Sequence, residues 1–153
     1  MRCLIIVLFV MLVSAMTVQA NEVAVSVNRL TNIGVGVGNS IGVIVAKDSP
    51  DGLVLQPYLQ GLKPGQYSFS VNENVGCGVL FNADGNSVPG MAAGKSLSTL
   101  PMLNVDQQGH ANQPVVARGL TLEQIRGRTL VVSEANQNMR VACGSLELYG
   151  LDG

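Results

Sequence analysis

Residues 61–73 read Gly61-Leu-Lys-Pro-Gly65-Gln-Tyr-Ser-Phe-Ser70-Val-Asn72-Glu73. Pro64-Gly65 predicts a turn, because proline presets φ and glycine tolerates the positive φ that other residues resist. From Gln66 to Asn72 the chain alternates. A strand here puts Tyr67, Phe69 and Val71 on one face and Ser68, Ser70 and Asn72 on the other. With the apolar face turned into a core, Ser70 and Asn72 point outward together. A half-buried strand entered through a tight turn is a building unit of antiparallel sheets.

The same unit recurs on both sides. Val23, Val25 and Val27 alternate with Ala24, Ser26 and Asn28, and Ile41–Lys47 forms a second strand. Asp48-Ser-Pro-Asp-Gly52 is a turn, and Leu53–Pro57 follows as a strand. Proline lacks a ladder donor, so Pro57 is expected at a strand end or an edge. Further strands are read at Leu100–Val105, Pro114–Ala117, Thr129–Ser133 and Arg140–Tyr149. Thr121, three residues before Gln124, suggests a capping box and one helical turn. Gly34-x-Gly36-x-Gly38 mimics a phosphate-binding loop but lacks the third glycine at the required spacing and a βαβ context, so it reads as a hairpin turn. Asn74–Ser98 shows no periodicity, and a loop of that length is usually functional or disordered. Short, evenly spaced strands predict an all-β antiparallel sandwich or barrel with Greek-key connections.

Several stretches resemble the copper/zinc superoxide dismutase family. Ile41-Gly-Val-Ile-Val, Gly52-Leu-Val-Leu-Gln-Pro57 and Gly61-Leu-Lys-Pro-Gly65 are similar to its second to fourth strands. Glu73-Asn-Val-Gly-Cys77, Leu100-Pro101 with Val105-Asp106 and Gly109, Gly127-Arg-Thr-Leu-Val-Val and Arg140-Val-Ala-Cys143-Gly144 follow in the family's order. The resemblance covers nearly all of residues 21–153 and implies an eight-stranded Greek-key β-barrel. It also places Cys77 and Cys143 at the family's disulfide.

Where the family binds metal, the resemblance lapses. Its copper-binding His-x-His falls on Ser70 and Asn72, its last copper histidine on Ser133, and its zinc ligands on Ser96 and Thr99. Tyr67 stands where a histidine braces the site, and the bridging histidine has no counterpart. Hydroxyl and neutral amide groups are poor copper ligands beside imidazole. Arg140 matches the arginine that attracts superoxide in the family. Without copper, its expected role is to hydrogen-bond loop carbonyls. The segment between Glu134 and Met139 is a short remnant of the family's charged guiding loop.

The N-terminus reads as a secretory signal: Arg2, an apolar run from Leu4 to Val13, and Val18-Gln-Ala20 before cleavage. The apolar run is too short for a hydrocarbon core of about 30 Å. The expected mature domain is 21–153, periplasmic or secreted, with no membrane span after cleavage. Of nine basic and ten acidic residues only Arg2 lies in the signal, leaving a net charge of about −2 without a basic cluster. Nucleic acid is therefore not an expected partner. Cys77 and Cys143 form an even pair in an exported chain and read as a disulfide. Closing a loop of about 66 residues, it contributes roughly 4 kcal/mol in the chain-entropy view.

Other chemistry finds little support. His110, the single histidine, sits in a turn and cannot build a zinc site alone. Met91, Met102 and Met139 are soft donors suited to copper(I), but they are scattered in sequence. The expectation is a metal-free, non-catalytic relative of the dismutases, without cofactor, binding an unknown protein or envelope partner. Its interaction surfaces would be Ser70, Asn72 and Ser133 and the loop 74–98. The alternatives are a dismutase-related enzyme or copper-handling protein with a remodelled site, or a remnant without a role.

Overall fold

Alternating apolar residues become register in the computed structural model, which describes residues 21–136 and 139–147. The strands are β1 (Glu22–Leu30), β2 (Val37–Ser49), β3 (Gly52–Leu59), β4 (Gly65–Asn72), β5 (Leu80–Phe81), β6 (Ser87–Val88), β7 (Ser96–Val105), β8 (Val115–Ala117), β9 (Thr129–Glu134) and β10 (Arg140–Ser145). One short helix, α1 (Leu122–Ile125), precedes β9. Eight strands join in the order β7-β4-β9-β10-β1-β2-β3-β8, antiparallel throughout. The end strands β7 and β8 lie against each other, so the sheet curls into a nearly closed barrel. β3 is followed in sequence by β4 and β8 by β9, partners far apart in the sheet order. These crossings make the connection Greek-key.

The barrel is filled from one face of each strand. Val27, Ile44, Leu55, Phe69, Leu103 and Val132 belong to a single buried cluster. Tyr67, Phe69 and Val71 all point into it, as the alternation of β4 requires. The core contains no tryptophan, because the chain has none.

Pro57 departs from its expected place. β3 runs on to Leu59, and Pro57 lies buried within it, opposite Ile44 of β2. Gln60 N–H donates to Ile41 O and Leu59 N–H to Ala111 O, so odd-numbered positions of β3 bond away from β2. Ladder pairs on that side stop at Leu55–Val115 and resume at Leu59–Ala111. The missing N–H of Pro57 therefore costs nothing in the β2 ladder and falls in the gap of the weaker one.

Local chemistry explains the remaining boundaries. Thr121 Oγ1 accepts from Gln124 N–H and Gln124 Oε1 from Thr121 N–H, the reciprocal capping box expected at α1. Asp48 Oδ1 accepts from Leu122 N–H at 2.7 Å and ties this turn to β2. β7 begins at Ser96 rather than at Leu100. The segment before it is also more ordered than its sequence suggested, holding the β5–β6 hairpin and a 3-10 turn at Met91–Ala93. Asn82 Oδ1 accepts from Asp84 and Asn86 N–H and closes that hairpin, and two-residue strands are too short to show a period of two. β10 ends at Ser145, short of the strand expected to Tyr149. Tyr149 and residues 1–20, where a signal is expected, lie outside the described residues.

Candidate functional site

The loop between β4 and β7 folds against the outer face of the barrel and builds a second, smaller core. Ala93 from the loop packs with Val131 of β9 and Cys143 of β10, and Leu30 and Cys77 close around them. The Cys77–Cys143 disulfide joins loop to barrel here, with its Cα atoms 5.9 Å apart. Polar anchors surround it. Arg128 donates to Glu73 O at 2.6 Å, and Thr129 Oγ1 donates to Asn74 O at 2.7 Å while accepting from Gly76 N–H.

Beside this core, Ser70, Asn72, Ser96, Thr99, Ser133 and Arg140 line one pocket of about 430 Å³. Five strand positions separated by up to 63 residues in sequence thus converge with the arginine. Ser70 and Asn72 do face away from the barrel interior, but they are not a free outward surface. Asn72 is 1% exposed, covered by the loop that the strand pattern alone could not place. Ser70 Oγ donates to Asn72 Oδ1 at 2.8 Å, and Asn72 Nδ2 donates to Gly94 O at 2.8 Å. Arg140 reaches over the same turn, one Nη donating to Gly90 O at 2.6 Å and the other to Gly94 O at 2.7 Å.

Two glycines make those carbonyls available. Gly90 and Gly94 flank the 3-10 turn with φ of 75° and 76°, a conformation costly for residues with a Cβ. A Cβ on Gly94 would stand 2.6 Å from Glu73 Cγ and from Asn74 Nδ2. Burial pushes the pKa of Arg140 down from its ordinary value, yet its charge faces backbone oxygens rather than a carboxylate.

These residues do not fit copper or zinc. Asn72 Oδ1 already accepts from Ser70, and Ser96, Thr99 and Ser133 offer the pocket only hydroxyl oxygens, poor copper ligands beside imidazole. No buried side-chain nitrogen or oxygen among the described residues is left without a partner. The described residues also contain no group of three or more His, Cys, Asp or Glu placed to hold a metal ion.

Of the other residues singled out in the sequence, Met91 also lines this pocket while Tyr67, His110, Met102 and Met139 stand apart from it, and some anchors were not foreseen. Tyr67 turns into the barrel and its hydroxyl donates to Lys63 O at 2.8 Å, away from the pocket. His110 is exposed, its backbone N–H held by Asp106 Oδ1. Met91 and Met139 line one groove without any Cys or His among its walls, and Met102 is not part of it. Arg128, Thr129, Gly90 and Gly94 carried no sequence signal beyond the glycine pair bracketing Met91–Ala93.

No family model matches the chain. It is 30% identical to "Superoxide dismutase [Cu-Zn] 2" of Salmonella typhimurium, an alignment covering 84% of this chain and 90% of that relative. The chain belongs to the copper/zinc superoxide dismutase family. The Cu/Zn superoxide dismutase from Brucella abortus superposes with a TM-score of 0.74 at 27% identity, covering 83% of this chain and all of that one. The monomeric copper, zinc superoxide dismutase from Salmonella enterica gives 0.74 at 28% identity over the same share of this chain. This chain offers one histidine, His110, in its whole length.

Proposed function

We propose that the protein is an exported, metal-free superoxide dismutase relative without dismutase activity, retained for a binding or structural role. Ser70, Asn72 and Ser133 stand at the positions of copper ligands, and Ser96 and Thr99 at those of zinc ligands. The observation that carries this reading is the closed hydrogen-bond chain from Ser70 through Asn72 and Gly94 to Arg140. It engages Ser70 Oγ and both ends of the Asn72 amide, and it holds the loop with neutral and cationic side chains instead. Export is supported by the sequence of residues 1–20 and by the Cys77–Cys143 bond, which persists in oxidising compartments.

The test is metal content and turnover together. Protein purified from cells grown with added copper and zinc is expected to carry neither at stoichiometric level. Its superoxide consumption should match that of a heat-inactivated control. One copper or zinc per chain would refute the reading, and so would dismutation above that control. Fractionation of the host, with N-terminal sequencing expected to begin at Asn21, tests export separately.

A further inference from the structure

We infer that the pocket lined by Ser70, Ser133 and Arg140 binds a neutral, hydroxyl-rich small molecule of the pyranose sugar class. Its floor is a patch of the outer sheet face. Thr99 lies opposite Ser70 and Ser96 opposite Asn72 across the β4–β7 ladder, and Ser133 lies opposite Ser68 across the β4–β9 ladder. Paired side chains in such ladders stand about 5 Å apart, and alternate residues of one strand about 7 Å apart. Hydroxyls are thereby laid out in two dimensions, on the scale of a sugar ring rather than of a single ion.

Four of these hydroxyls are free. Ser68, Ser96, Thr99 and Ser133 make no side-chain hydrogen bond among the described residues, and each is half-buried or exposed. The other polar groups of the pocket are already engaged. Ser70 Oγ donates to Asn72 Oδ1 and Asn72 Nδ2 to Gly94 O, while the two Arg140 Nη groups donate to Gly90 O and Gly94 O. A ligand therefore meets a fixed frame that carries four unspent hydroxyls.

Those hydroxyls select the ligand. Each is at once a donor and an acceptor. A sulfate or carboxylate would use only the donors, and a metal ion only the oxygens. A sugar hydroxyl offers both functions and can be matched at each of the four positions. No aspartate, glutamate or lysine lines the pocket, and its one charged side chain, Arg140, is held by two carbonyls. Met91, 40% exposed, adds a flexible apolar wall for the C–H groups of a ring. The volume of about 430 Å³ falls within the range of about 300–1,000 Å³ usual for small-molecule sites. The inference rests on the metal-free reading above, because an ion bound there would take the same positions.

The test is a nuclear magnetic resonance titration of protein purified from cells expressing the full chain, with glucose, mannose and N-acetylglucosamine as probes. At least one sugar is expected to give saturable amide shifts in the millimolar range, centred on Ser68, Ser70, Thr99 and Ser133. Cyclohexanol, a ring with a single hydroxyl, and sodium sulfate should give none there. Ser133→Ala and Thr99→Val each remove a hydroxyl that the fold does not use. The thermal midpoint should hold while affinity for the sugar falls about two- to tenfold in each variant. No saturable shift with any of the three sugars overturns the inference, as does sulfate binding in their place. A sugar affinity untouched by both substitutions overturns it too. Metal analysis of the same sample separates the two readings. Metal-free protein that ignores all three sugars overturns this inference alone, whereas one copper per chain overturns the metal-free reading and this inference with it.

Discussion

Asn72 and Arg140 converge on one oxygen: the carbonyl of Gly94 accepts Asn72 Nδ2 at 2.8 Å and an Arg140 Nη at 2.7 Å. A carbonyl has two lone pairs, and here both are used. One donor comes from β4 and the other from β10, so a single loop oxygen joins two strands that are not neighbours in the sheet. The family's strand scaffold is kept, and the loop across it is ordered by backbone carbonyls.

Arg140→Ala removes the bonds to both Gly90 and Gly94 and should cost about 2–3 kcal/mol, as expected for charge-assisted hydrogen bonds that are half-buried. Urea unfolding measures the loss. Hydrogen exchange should accelerate at residues 90–95 while the barrel strands stay protected, and uniform acceleration would contradict the local role given to Arg140.

Gly94→Ala tests the turn from the other side. Its φ of 76° and the 2.6 Å approach to Glu73 Cγ combine conformational strain with a clash. A loss of about 1–3 kcal/mol is expected, together with weaker protection of the Asn72 region. Unchanged stability would mean the turn can relax freely.

Replacing Cys77 and Cys143 with serine should lower stability by about 2–5 kcal/mol. The bond spans 66 residues and closes the small core around Ala93 and Val131. Denaturation with and without reductant reads the effect, and coincident midpoints would show that the bond is dispensable.

Tyr67 predicts an alkaline limit. Burial, then the negative charge of Glu134 opposite it on β9, raises its pKa above the ordinary value of 10.0. The unfolded chain therefore releases this proton first as pH rises, so it binds fewer protons than the native state. The stability contribution is whole below about pH 10 and is lost as pH climbs through the raised folded value. Tyr67→Phe should flatten the decline above pH 10, at a cost of about 1 kcal/mol near neutrality for the lost bond to Lys63 O. Equal slopes for both proteins would exclude Tyr67 as the source.

Ser70→His, Asn72→His and Ser133→His together test the proposed placement of the family's copper site on this chain. All three positions line the one pocket, so three imidazoles should bind copper(II) measurably where the parent does not. Affinity should be modest, because Asn72→His gives up the bond to Gly94 that orders the loop over the pocket. A folded triple variant without a copper signal in electron paramagnetic resonance would mean that these positions do not converge as ligands.

The sequence determined the barrel. Alternation at Val23–Val27 and Gln66–Asn72, the turns at Asp48–Gly52 and Pro64-Gly65, and the Thr121–Gln124 capping box are short-range patterns whose physics is complete within a few residues. It also named Ser70, Asn72, Ser96, Thr99, Ser133 and Arg140, which the structure gathers in one pocket. Only the tertiary structure decided what those side chains do. That Asn72 is buried and bonded, that Arg140 and Asn72 share Gly94 O, and that Pro57 sits harmlessly inside β3 all depend on contacts between distant segments. Such contacts follow from sheet order and loop path, which no local period encodes, and burial is a property of what folds over a residue rather than of the residue itself.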